Sequence, residues 1–164
     1  GDAGGALASL ARRVADAHFA GAARDRVSGA EVWVQLRRPS ENGLEFHFDK
    51  DEAACRDRDE WRHPALATAT YLRGSADSAP LCVFDTGSEP GPMRRSPPRG
   101  WLIAPRPLRH VAFEGGRLHG VPSELSRAAC DRLSVLVNVW TAGRPEGLRP
   151  LPRGLAPRSA AVDA

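Results

Sequence analysis

The spacing of apolar positions changes several times along the chain, and each period predicts an element. Leu7, Leu10, Val14, His18 and Phe19 fall at helical intervals, so residues 6–22 read as a helix with an apolar stripe. After the Ser28-Gly29 turn signal, residues 31–36 read as a strand. Residues 38–43 read as a turn in which Asn42-Gly43 is the strongest short-range hairpin signal. Residues 44–49 alternate strictly between apolar Leu44, Phe46 and Phe48 and polar Glu45, His47 and Asp49. That is the mark of a half-buried strand, and it puts His47 and Asp49 on one face.

Further strands are predicted over 66–72, 81–84, 101–104 and 108–113. In the first, Ala67, Ala69 and Tyr71 share a face on which the small alanines leave space. Glu114-Gly115-Gly116 reads as a tight reversal, with glycine supplying a positive φ. The strand carrying His119 comes next. Residues 122–131 form a polar excursion with one helical turn started at Ser123. The last strand, 132–140, has two faces: Arg132, Ser134, Leu136 and Asn138 on one, Leu133, Val135, Val137 and Val139 on the other. The valine face asks for burial, and the N-terminal helix is the element to cover it. Short strands at regular intervals with one clear helix predict an all-β sandwich or barrel with a helical buttress.

Residues 50–63 are densely charged and read as a solvated loop, Asp51 and Glu52 included, that could rim a site. Residues 87–100 are rich in Pro, Ser, Gly and Arg, a composition for an exposed loop. The segment after Gly143 reads as a fraying extension, which divides the chain into one domain over 1–142 and a tail over 143–164. No internal repeat is visible.

Composition changes little. A chain of 164 residues with 41% hydrophobic and 26% charged residues is one ordinary globular domain. The net charge of +3 comes from arginine, with Lys50 the sole lysine. No aromatic-studded basic stripe accompanies it, so nucleic acid is not the expected partner. Cys55, Cys82 and Cys130 are odd in number and form no CxxC pair, which argues for reduced thiols and against a zinc ribbon. No run reaches the roughly 18 apolar residues of a membrane span. No signal-peptide pattern opens the chain, although residue 1 is glycine, so a removed targeting segment stays open. A cytoplasmic monomer with no membrane partner is the expectation.

The candidate chemistry lies in the histidines. His47 and Asp49 side by side make two legs of a metal site, and His119 is the best third ligand. Two imidazoles and one carboxylate with open positions opposite describe a non-haem Fe(II) oxygenase site. Its positive charge suits a dianionic 2-oxo acid whose far carboxylate meets a cation. Arg132 is the choice, since an arginine inside a barrel is costly without an anion. Ser134 adds a hydroxyl two residues on, and Tyr71 a phenol. His63 and His110 lack partners at ligand spacing and read as structural, and His18 reads as a helix-surface or packing histidine. Trp33, Trp101 and Trp140 read as packing residues.

The ordered set His47-x-Asp49, His119, Arg132-x-Ser134 resembles the Fe(II)/2-oxoglutarate-dependent dioxygenase superfamily. Thr70-Tyr71-Leu72 with Val83-Phe84 is similar to its prolyl 4-hydroxylase-like branch. The resemblance runs from about Trp33 to Trp140. It implies a double-stranded β-helix, a jelly-roll or cupin-like barrel with the N-terminal helix on its outer face. It implies Fe(II) on His47, Asp49 and His119, and 2-oxoglutarate anchored by Arg132 with Tyr71 and Ser134. The reaction implied consumes O₂, releases succinate and CO₂ and hydroxylates a C–H bond of a peptide side chain or small molecule, with ascorbate as an optional reductant. The His119-to-Arg132 spacing is longer than the branch leads one to expect, which leaves Arg127 as a rival anchor. Two other classes stay open: a non-catalytic jelly-roll metal-binding module, and a cupin-like metalloenzyme that uses no 2-oxoglutarate.

Overall fold

The computed structural model describes residues 3–39, 43–87, 99–148 and 151. The chain enters through helix α1 (Ala3–His18) and a single turn, α2 (Ala22–Asp25). Eight strands succeed them: β1 (Gly29–Arg37), β2 (Leu44–His47), β3 (Leu66–Arg73), β4 (Leu81–Gly87), β5 (Gly100–Ile103), β6 (His110–Phe113), β7 (Arg117–Val121) and β8 (Arg132–Trp140). A short helix, α3 (Glu52–Arg58), comes after β2, and one 3₁₀ turn (Ser123–Leu125) after β7. No described helix is long and apolar enough to cross a membrane.

The strands form two four-stranded antiparallel sheets, in the orders β1-β8-β3-β6 and β2-β7-β4-β5. The sheets face each other. Ala69, Val111 and Phe113 of the first pack on Leu81, Val83 and Val121 of the second. They remain separate sheets rather than a closed barrel. Consecutive strands β1 and β2 lie in different sheets, so the Asn42-Gly43 signal marks no hairpin. Residues 40–42 of that turn fall outside the described residues, as do 88–98 of the expected loop between β4 and β5.

The valine face of β8 is covered as its pattern requires. Val137 and Val139 pack against Ala11, Val14 and Ala15 of α1, with Val32 and Leu66 at the margin. Of the predicted stripe, Val14 is buried and Leu10 and Phe19 are partly buried against this cluster, and Ala11 and Ala15 fill the rest of the interface. α1 stops at His18, short of residue 22, and Gly21 with φ 52° turns the chain where a side chain would be strained.

Four expectations are corrected. The charged stretch 50–63 contains α3, and Asp51 is not solvated: it is 1% exposed and caps α3 by accepting from the Ala54 amide. It also pairs with Arg62 and accepts from the Glu146 amide. Residues 144–146 are therefore tied down rather than frayed. Arg144 donates to the Ser28 carbonyl and Glu146 pairs with Arg58. The rest of the tail, apart from residue 151, lies outside the described residues beyond 148. The predicted strand 108–113 begins only at His110, since Leu108 turns with φ 63°. Gly115 is needed for close approach rather than positive φ: a Cβ there would sit 2.3 Å from Pro64. All three cysteines are free thiols.

Candidate metal centre

The centre is assembled by an irregularity in β2. Leu44 pairs with Val121 and His47 with His119, a register that shifts by one residue between them. An extra residue in one strand reverses the facing of the residues beyond it. Leu44 and His47, three apart, thus both line the space between the sheets, which strict alternation forbids. Phe46 is turned out, 48% exposed, against Phe84.

His47 and His119 stand directly across β2 and β7, with ring centroids 4.4 Å apart. The Nδ1 of His47 donates to the Glu45 carbonyl at 2.8 Å, and that of His119 to the Arg117 carbonyl at 2.9 Å. Both Nδ1 atoms carry the proton, so both Nε2 lone pairs are free when the rings are neutral. They turn toward one oxygen. Asp49 Oδ1 lies 3.5 Å from His47 Nε2 and 3.6 Å from His119 Nε2. Metal–ligand bonds of about 2.0–2.2 Å place two donors of one ion roughly 3–4 Å apart, so the three atoms fit a single cation. Among the described residues these three form the one group of three or more His, Cys, Asp or Glu side chains with metal-ligand spacing.

Asp49 lies just past the end of β2, and its neighbours fix it. His63 Nδ1 donates to its carbonyl, Phe48 sits edge-on to Trp61, and Asn138 Nδ2 donates to Oδ2 at 3.1 Å. Burial opposes the charge on Asp49, but the two imidazoles and the Asn138 amide outweigh it and hold the carboxyl below its ordinary value. The Asp49 contact raises His47 above its ordinary value, whereas burial pushes His119 below. His119 is the most enclosed of the three and His47 the most open.

The donors open into a cavity of about 230 Å³ between the sheets. Its floor is the polar face of β8, with Asn138, Leu136, Ser134 and Arg132 in a row, and Ala67, Ala69 and Tyr71 beside them from β3. The alternation predicted for both strands is what is seen. Arg132 is 5% exposed and donates Nη1 to the Ala79 carbonyl at 2.8 Å, while its buried Nε has no partner. Burial works against its charge, the Tyr71 phenol favours it, and Arg37, its register partner on β1, disfavours it. An enclosed guanidinium with an unused donor fits an anionic ligand group. The rival Arg127 is exposed and does not line the cavity.

No family model matches the chain, and no curated protein matches it. Among solved structures it is similar to HygX from Streptomyces hygroscopicus, a structure with nickel and 2-oxoglutarate bound. Identity is 12% over 71% of this chain, the TM-score is 0.45, and the chain spans only 56% of that protein. It is similar too to EvdO2 from Micromonospora carbonacea var. aurantiaca, complexed with 2-oxoglutarate. There identity is 17% over 88% of this chain and 68% of the other, with a TM-score of 0.49. Likeness at this level does not carry a function from one chain to another.

The sequence left Asn138 without a role, although a polar residue on the inward face of β8 was the available signal. Trp33 and Trp101 are not core residues. Trp33 is 37% exposed and lines the cavity, and Trp101 is half exposed on β5. Trp140 is buried, as expected, and donates Nε1 to Glu31.

Proposed function

We propose that this chain is an Fe(II)- and 2-oxoglutarate-dependent oxygenase that hydroxylates a C–H bond of a peptide side chain or small molecule. The observation that carries the reading is two Nε2 atoms and one carboxylate oxygen converging in the same cavity as a buried, under-used guanidinium. His47 and His119 hold iron through Nε2 and Asp49 through Oδ1. Arg132 takes the far carboxylate of 2-oxoglutarate, helped by the Ser134 hydroxyl and the Tyr71 phenol. Iron so held, when bound, supplies O₂ activation: one oxygen atom ends in the hydroxylated product and the other in succinate, with CO₂ released.

The protein's share is positioning. The apolar walls Leu44, Leu81, Phe113 and Leu136 keep water from the reacting centre, and the exposed side of His47 leaves an approach for substrate. The strand orders, with consecutive strands placed mostly in opposite sheets, support reading the fold as a double-stranded β-helix. Tyr71 in the cavity beside Arg132 supports the prolyl 4-hydroxylase-like branch.

Anaerobic addition of Fe(II) and then 2-oxoglutarate tests the reading. The expected result is a visible charge-transfer band that requires both. Absence of the band together with absence of 2-oxoglutarate binding overturns it.

A further inference from the structure

A second pair of histidines meets outside the cavity. His18 closes α1 and His110 opens β6, yet their Nε2 atoms lie 3.0 Å apart and their rings stack at 5.2 Å. Both side chains are exposed. Thr70, the register partner of His110 on β3, places Oγ1 2.7 Å from its Nδ1 and fixes the ring with Nε2 toward His18. Nothing in the spacing of these two histidines along the chain marks them as neighbours.

We propose that His18 and His110 form a surface site for a borderline divalent transition-metal ion, of the Zn(II), Ni(II) or Cu(II) class, bound through both Nε2 atoms. Imidazole is the ligand those ions take most readily. With metal–nitrogen bonds of ~2.0–2.1 Å, a 3.0 Å separation corresponds to an N–metal–N angle of about 90–100°, between the octahedral and tetrahedral values. The Thr70 hydroxyl is placed to accept from Nδ1–H of His110, the tautomer that leaves Nε2 as a lone-pair donor and the usual arrangement of an outer partner behind a ligating imidazole. In the metal-free pair one Nε2 donates to the other. On binding, His18 carries its proton on Nδ1 instead, so no charge changes. Burial and the neighbouring His18 also push His110 below its ordinary value. Water completes the coordination, making this the weaker of the two centres. The ligands come from α1 and β6, so the ion would staple the end of the helix to the edge of the sheet.

The test is equilibrium dialysis against Zn(II), counting bound metal, in a chain whose cavity donors are removed by His47→Ala and His119→Ala. The outcome is then independent of the oxygenase reading. One bound equivalent is expected, abolished by adding His18→Asn or His110→Asn and weakened several-fold by Thr70→Val. In the otherwise unchanged chain, two equivalents should fall to one with His18→Asn, which alters only an exposed side chain. Bound zinc that is the same with and without His18→Asn in that chain overturns the proposal.

Discussion

Asn138 donates to one carboxylate oxygen of Asp49 at 3.1 Å, and the other oxygen faces the two imidazoles. The amide comes from β8 in one sheet and the carboxylate lies just beyond β2 in the other, so the contact ties the sheets together at the candidate metal centre. It also divides the work of the carboxylate, with Oδ2 engaged by the Asn138 amide and Oδ1 left facing the two imidazole Nε2 atoms.

If that division matters, Asn138→Leu should lower affinity for Fe(II) or Co(II) by about 10–100-fold, the usual effect of losing an outer partner of a metal ligand. Far-ultraviolet circular dichroism should be unchanged. Metal titration followed by the Co(II) visible spectrum measures it, and an unchanged affinity would show that Asp49 needs no such hold.

Arg132 makes the second prediction. Arg132→Ala should weaken 2-oxoglutarate binding by at least roughly 100-fold, the equivalent of about 3 kcal/mol for a lost charge-assisted pair. Metal affinity should stay within twofold. Arg127→Ala should leave both untouched, since that side chain is exposed and outside the cavity. Calorimetric titration of the metal-loaded variants separates the two arginines. A cupin-like enzyme indifferent to the oxo acid would bind none in either case.

These contacts differ in how far the sequence discloses them. The two faces of β8 were legible because one is a run of valines and leucine and the other carries Arg132, Ser134 and Asn138, and both are satisfied by neighbours of matching character. The triad was legible as residue types but not as geometry. Strict alternation puts Leu44 opposite His47, whereas the one-residue shift in β2 sets both inward, and a bulge leaves no mark in hydrophobic pattern. The Asn42-Gly43 signal failed because strand pairing here is non-local: β1 finds β8 and β2 finds β7. Asp51 looked solvated among charged neighbours: Arg62, which pairs with it, is one charge among many in the same stretch, and the Glu146 amide that it accepts from lies 95 residues on. The meeting of His18 with His110 was hidden for the same reason.

Metal binding should stabilise the fold, because the three donors converge only in the native state. At a free metal concentration 100 times the dissociation constant the gain is about 2.7 kcal/mol, or roughly 5–10 °C in melting temperature for a domain of this size. A His18→Asn background removes the helix-end pair from the measurement. In it, Asp49→Ala and His119→Ala should each abolish the metal-induced shift seen by differential scanning calorimetry, and a chelator should reverse it in the parent. A shift that survives both substitutions places the ion elsewhere.

The last prediction concerns acid. Burial disfavours the charge on Asp51, but the Ala54 and Glu146 amides and Arg62 outweigh it and hold the carboxyl below its ordinary value. A carboxyl depressed in the folded state binds fewer protons there than in the unfolded chain around its titration range. Its stabilisation is therefore complete above the unfolded value of about 3.9 and fades as pH falls through the folded one. Asp51→Asn keeps a capping oxygen but loses the charge, and should cost about 2–4 kcal/mol at pH 7. The gap between wild type and variant in urea midpoint should persist down to about pH 5 and close below about pH 4. A gap of constant size from pH 7 to pH 3 would mean that the carboxyl acts through shape and hydrogen bonding alone. Because Asp51 sits two residues beyond Asp49 and anchors α3, the same variant should also loosen the carboxylate at the metal centre. Its metal affinity at pH 7 should then fall several-fold, while Asp57→Asn, on the exposed side of that helix, should leave it unchanged.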